Sequence, residues 1–151
     1  MILTNEVLIR ASIFVLAVCG FFIARYIRRH KTQNTPLVCP IKFDCHTVVH
    51  SDYARFLGFP VEILGMFYYA FIAIVYLGLT ISPDLMLIVG YDILSIGLLS
   101  LSLAGFLFSA YLIGIQIFII KKGCSWCIVS AFVCLIIFIL ATFLYDFSFL
   151  I

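Results

Sequence analysis

The sequence predicts an all-α integral membrane protein, a four-helix bundle with a long cysteine-bearing loop between its first and second spans. Three observations point there. Of 151 residues, 66% are hydrophobic and only 11% are charged. Mean hydropathy is +1.28. The few charges divide the chain into four apolar stretches, each long enough to cross a bilayer, which takes roughly 20 residues. A soluble domain of this size would need far more charge to cover its surface, so most of that surface faces lipid. The same figures exclude other classes. Nine Gly and four Pro do not suit disordered or collagen-like chain, and nine Lys plus Arg against seven Asp plus Glu leave +2, too little for nucleic-acid binding.

The first span is expected over about residues 7–27. Its uncharged centre, Ala11 to Ala24, is flanked by Arg10 and Arg25, whose heads can snorkel toward the two interfaces. Glu6 ahead of it, and Val18 before Cys19 where lipoprotein processing needs a small residue, argue for a helix that stays rather than a cleaved signal. Residues 28–60 have soluble character and form the loop, in which residues 46–58 are expected as a short surface helix ending at Gly58. The second span, 61–81, opens after Pro60, carries Glu62 in its first turn at the interface, and closes at Ser82-Pro83. The third, 93–120, holds no charge, is long enough to tilt, and has Gln116 as its one strongly polar residue. The fourth, 124–145, follows Lys121-Lys122-Gly123 and ends at Asp146. Residues 7–145 therefore make one domain without internal repeats, in which Gly65, Gly97, Ala104, Gly105, Ser109 and Gly114 permit close helix contacts.

An even number of spans puts the long loop and the Lys121-Lys122-Gly123 turn on one membrane face. Four of the six cysteines gather there: Cys39 and Cys45 as C-x5-C, and Cys124 and Cys127 as C-x2-C. Cys124 opens a helix, where the dipole and the adjacent Lys121 and Lys122 favour a thiolate. Cys127 lies one turn deeper on the same face, within disulfide reach and toward the bundle interior. Two dithiols on one face allow exchange from a soluble protein to a lipid-side acceptor. A zinc site formed by the four cysteines with His46 or His50 competes with this reading. So does a scaffold or small transporter with purely structural disulfides, although no mid-membrane charge suggests transport. Cys19 and Cys134, in mid-span, are expected to pack as small hydrophobes. Phe67, Tyr68, Tyr69 and Tyr111 are expected to pack against lipid or other helices, and Trp126 stands out by its place between two cysteines.

The C-x5-C loop, followed by HTVVHSDYARFLGFPVEILGMFYYAF and then by SAYLIGIQIFIIKKGCSWCIVSA, resembles the vitamin K epoxide reductase family in its bacterial and archaeal form. The resemblance rests on order. The loop pair comes first, Ser51 stands six residues after Cys45, Gly58 and Pro60 lead into the second span, and C-x2-C opens the fourth. The unrelated bacterial disulfide-generating quinone reductase has the reverse order.

The resemblance implies an enzyme that oxidises a thioredoxin-fold partner and passes two electrons to a quinone. In that scheme the partner's thiolate attacks a Cys39–Cys45 disulfide at Cys39, and Cys45 then attacks Cys124 of a Cys124–Cys127 disulfide. Cys127 reduces the quinone held between the helices, and Ser51 helps order the loop over the site. Two positions depart from vertebrate members. Ala131 stands where a quinone-binding Tyr is expected, and Val61 where an Asn is expected. Ubiquinone or menaquinone is thus the expected substrate rather than an epoxide. No fused thioredoxin-like domain follows the fourth span, so the partner is expected to be a separate protein. Eight of the nine basic residues fall on the cysteine face (Arg25, Arg28, Arg29, Lys31, Lys42, Arg55, Lys121, Lys122), which by the positive-inside rule argues for the cytoplasm. Oxidative chemistry argues for the outside, and the extracytoplasmic face is the expectation adopted.

Overall fold

The computed structural model describes residues 2–39, 44–82 and 90–149. The expected roles of Pro83 in closing the second span, and of Lys42 on the cysteine face, lie outside the described residues. Four helices are long and apolar enough to cross a membrane, with spans Asn5–Thr32, Val61–Ile81, Asp92–Ile120 and Ser125–Asp146. They are α1 (Ile2–Thr32), α3 (Val61–Ile81), α4 (Tyr91–Ile115) with its π-helical extension Gln116–Ile120, and α5 (Ser125–Phe149).

The first helix runs five residues past its expected end. Arg28, Arg29 and Lys31 are good helix formers, and positive charge in a last turn is favoured by the helix dipole. The Thr32 hydroxyl donates back to the Arg28 and Arg29 carbonyls, and the helix closes at Asn34, which is left-handed with φ 50°. The long loop therefore begins at Gln33 instead of Arg28.

The loop's expected surface helix over 46–58 is corrected. Only α2 (Cys45–Val49) is α-helical, followed by a 3-10 turn at Asp52–Ala54 and a hairpin of β1 (Arg55–Phe56) and β2 (Phe59–Pro60). Asp44 starts α2 by accepting the Thr47 N–H at 3.1 Å. The Ser51 hydroxyl ends it by donating to the Val48 carbonyl at 2.7 Å. Leu57 and Gly58 both take positive φ, 51° and 85°, as a two-residue hairpin turn requires, and Pro60 needs no ladder N–H at the sheet edge.

In the bundle, α1 lies along α3, α4 lies along α5, and α1 also meets α5. Ile13, Ala17, Tyr69, Ile72, Leu79 and Ile137 form the centre of the main core. Arg10 is buried within the bundle instead of reaching out to the interface: it pairs with Glu6 at 3.2 Å and donates to the Leu79 carbonyl at 3.2 Å. That carbonyl lies in the last turn of α3, where an acceptor lacks a helical partner. At the other end, Lys31 pairs with Glu62 at 3.0 Å and ties the end of α1 to the start of α3. Gly97 and Gly114, expected at close contacts, face open space, whereas Gly65 and Gly105 do lie against neighbouring side chains. No comparably extensive packing joins α3 to α4, and the space between them is the cavity described next.

Candidate functional site

Residues around the start of α5 build one pole of the site. The π-helical turn Gln116–Ile120 winds the end of the third span wider than an α-helix, and Lys121 then turns the chain with φ 55°. This returns Cys124 to Gln116, whose side-chain oxygen accepts the Cys124 N–H at 3.2 Å inside the protein. Cys124 precedes the first helical residue, Ser125, and its sulfur takes the capping position, accepting the Cys127 N–H at 3.4 Å. The Cys127 thiol also donates to the Cys124 sulfur, at 2.8 Å. That thiol bond first, with the Cys127 and Trp126 backbone N–H groups, holds the Cys124 thiol below its ordinary value although burial acts the other way. Cys124 is thus the sulfur of the pair better suited to nucleophilic chemistry.

The loop pair sits directly beside it. Cys39 and Cys45 are joined by a disulfide, with their Cα atoms 6.1 Å apart. Cys45 is 1% exposed and Cys124 is fully buried, and both belong to one apolar cluster with Ile27, Leu37, Val48 and Val49. Cys39 is only half-buried at its edge. Two polar ties hold the loop on α5. Lys122 pairs with Asp44, and the Trp126 indole N–H donates to the Val38 carbonyl at 3.2 Å, one residue before Cys39. Asp44's carboxyl lies well below the usual carboxylate range, chiefly through the Lys122 ammonium and also through Thr47. Trp126 packs against Tyr26 of α1, with ring centroids 4.9 Å apart.

Beneath the loop, between α3 and α4, lies a cavity of about 480 Å³, within the range of small-molecule sites. Its walls are almost entirely apolar, supplied by residues such as Leu64, Leu101, Ala104 and Phe108. Ser51, Tyr53 and Phe56 of the loop roof it. Cys127 faces into it, with Glu62 and Gln116 near the same pole and Ser130 and Cys134 farther along α5. Cys134 receives hydrogen bonds from Ser109 at 3.4 Å and shares one with the Tyr69 hydroxyl at 3.1 Å.

The structure thus brings Cys39, Cys45, Cys124 and Cys127 to one end, with Ser51 above the cavity. Lys122 is turned to Asp44, and Lys121 is exposed in the turn. Cys19 is exposed on α1, as a lipid-facing thiol would be. Ala131 is buried in the bundle, and Ser130 beside it lines the cavity. Among the described residues no cluster of three or more His, Cys, Asp or Glu side chains converges for metal binding; His46 and His50 stack on each other at 4.3 Å. Sequence reasoning missed Asp44 as the loop's anchor and Cys134 as a hydrogen-bonded cavity residue. It noted Gln116 only as the polar residue of its span. A lone Gln in an otherwise apolar helix was the available signal, since such a group needs a partner.

No curated protein matches the chain. The family model described as the vitamin K epoxide reductase family matches residues 11–142. With four spans, a disulfide in the loop and a dithiol opening the last helix, the chain belongs to the vitamin K epoxide reductase family and is a multi-pass membrane oxidoreductase of thiol–disulfide chemistry.

Proposed function

We propose that the protein generates disulfides at the expense of a membrane quinone, oxidising a separate thioredoxin-fold partner through Cys39–Cys45 and passing the electrons on through Cys124–Cys127. The observation that carries this reading is that Cys127 faces an apolar cavity while its partner Cys124 shares a buried cluster with Cys45. Each sulfur then has its own neighbour in a chain of transfers.

The steps balance as thiolate exchanges. A partner thiolate attacks Cys39, the more accessible sulfur, and releases Cys45 as a thiolate; the partner's second thiol resolves the mixed disulfide and leaves oxidised partner and reduced loop. Cys45 then attacks Cys124 of an oxidised Cys124–Cys127 pair and releases Cys127. Cys39 resolves that linkage, so the loop disulfide re-forms and Cys124 and Cys127 remain as a dithiol. A loop disulfide beside free thiols at Cys124 and Cys127 is compatible with this product. A ubiquinone or menaquinone bound in the cavity supplies the electron sink, taking two electrons and two protons from that dithiol to give a hydroquinone. Cys127 meets the cavity, Cys124 closes the disulfide behind it, and the apolar walls keep water from the exchange. Ser51, bonded to the Val48 carbonyl, keeps the loop folded as the roof, and Lys122 keeps it docked through Asp44.

The cysteine face is assigned to the extracytoplasmic side, where disulfides persist. The basic groups on that face would attract an acidic partner.

The test is quinone reduction by the purified protein with a reduced thioredoxin-fold partner, in wild type and in Cys39→Ala, Cys45→Ala, Cys124→Ala and Cys127→Ala. Turnover is expected in wild type and in none of the four variants, with Cys127→Ala accumulating a Cys45–Cys124 linkage or a mixed disulfide with the partner. An absence of turnover with either quinone, together with about one zinc per chain, would overturn the reading.

A further inference from the structure

The cavity holds two adjacent tyrosines with opposite fates. The Tyr69 hydroxyl is fully engaged, donating to the Ser130 carbonyl at 2.8 Å and meeting the Ser130 hydroxyl and the Cys134 sulfur. The Tyr68 hydroxyl is equally hidden from solvent and has no hydrogen-bond partner among the described residues. Its ring crosses the gap between α3 and α4 and lies over Gly105, where an added Cβ would stand 2.6 Å from Cζ. The Tyr69 ring packs against it edge-on, at 5.2 Å between centroids. The position of the hydroxyl is therefore set by packing on both sides, and a buried hydroxyl is rarely left without a partner.

The other buried polar groups named on the cavity wall are engaged, and Tyr53 at the roof is exposed. Ser51 donates to Val48, Ser109 to Cys134, Glu62 pairs with Lys31, and the Gln116 oxygen holds Cys124. Tyr68 carries the buried hydroxyl on that wall with no partner among the described residues, and it stands six residues beyond Glu62 along α3, about 9 Å deeper at 1.5 Å per residue. An apolar ring with a carbonyl acceptor, and no donor of its own, suits such a wall.

We propose that the Tyr68 phenol donates a hydrogen bond to one carbonyl oxygen of the quinone, fixing the ring's orientation relative to Cys127 and selecting for carbonyl-bearing rings. This rests on the quinone reading above. Tyr68 is a specificity-determining residue in this scheme. It takes no part in the thiol exchanges at the loop.

The test compares wild type with Tyr68→Phe, which keeps the ring over Gly105 and removes only the hydroxyl. Binding of menadione and of 2-methylnaphthalene, the same ring system without carbonyls, is read by quenching of Trp126, the sole tryptophan. Menadione binding is expected to weaken about tenfold in Tyr68→Phe, the size of one hydrogen bond, with 2-methylnaphthalene binding unchanged. In turnover the KM for menadione should rise with little change in kcat. Single-turnover oxidation of the reduced partner by the Cys39–Cys45 disulfide should not change. Equal menadione binding and turnover in both proteins would overturn the proposal and leave the quinone reading standing. Equal weakening of both probes would also overturn it, since the hydroxyl would then act through cavity shape. A wild type that accepts electrons from the partner but neither binds nor reduces menadione, ubiquinone or menaquinone would remove the quinone reading and this proposal together.

Discussion

The Gln116 side-chain oxygen accepts the Cys124 N–H at 3.2 Å, across eight residues of chain and out of contact with water. This single bond joins the widened end of the third span to the first residue of the dithiol. It also explains a strongly polar side chain in that span, because the N–H ahead of α5 has no helical acceptor of its own. Gln116→Leu should leave that N–H unsatisfied at a cost of about 1–3 kcal/mol. A lower melting temperature, and slower exchange between the loop disulfide and Cys124, are the measurements to make. Gln116→Glu, which keeps the accepting oxygen, should retain more of the exchange rate than Gln116→Leu.

The Asp44–Lys122 pair gives the loop a latch with a definite pH behaviour. Lys122 and Thr47 depress the Asp44 carboxyl below its unfolded value of about 3.9. The latch's contribution is therefore fully present above that value and is lost as the pH falls through the lower folded one. Loop docking should be flat with pH across the neutral and mildly acid range, as followed by amide exchange of Cys45–Val49. Asp44→Asn should speed that exchange at neutral pH, and added salt should weaken the wild-type latch, because both partners are exposed.

Cys124 should titrate below the usual thiol value of about 8.5, because its charged form receives the Cys127 thiol and two backbone N–H groups. Thiolate absorbance of the reduced protein, with Cys124→Ala as the reference, measures it. Cys127→Ala removes the strongest of those donors and should move the Cys124 titration upward. A Cys124 titration unmoved by that substitution would show that the helix end, and not the neighbouring thiol, sets its acidity.

Close helix contact has a test in two glycines. A Cβ at Gly20 would fall 2.5 Å from Cζ of the buried Tyr69 ring, whereas one at Gly97 meets nothing within 4 Å. Gly20→Ala should destabilise by about 1–3 kcal/mol, the range for overpacking. Gly97→Ala should be neutral or slightly stabilising through better helix propensity. Thermal unfolding in detergent distinguishes them, and the ring shift forced by Gly20→Ala should also disturb the Tyr69–Cys134 hydrogen bond.

Much of the molecule was legible because lipid imposes a simple rule: a spanning backbone must satisfy itself, so long uncharged runs become helices. All four spans, the loop between the first two, and the clustering of two cysteine pairs at one end follow from hydropathy, charge spacing and span parity. The family was legible too, in the order of the cysteine pairs, Ser51 and the Gly58–Pro60 approach to the second span. Where the sequence reading failed, the cause was local hydrogen bonding that no periodicity records. Residues 46–58 carry the polarity of a surface helix, yet the Ser51 hydroxyl stops it after Val49 and the left-handed Leu57–Gly58 pair turns the chain into a hairpin. Arg10 looks like a snorkelling cation in one dimension, and only the position of α3 gives it the Leu79 carbonyl. The site's finer features are tertiary for the same reason. The cavity exists because α3 and α4 stand apart, and Tyr68 differs from Tyr69 only in what packs around each hydroxyl. Sequence determines which groups need a partner; the packing of the four helices decides which of them find one.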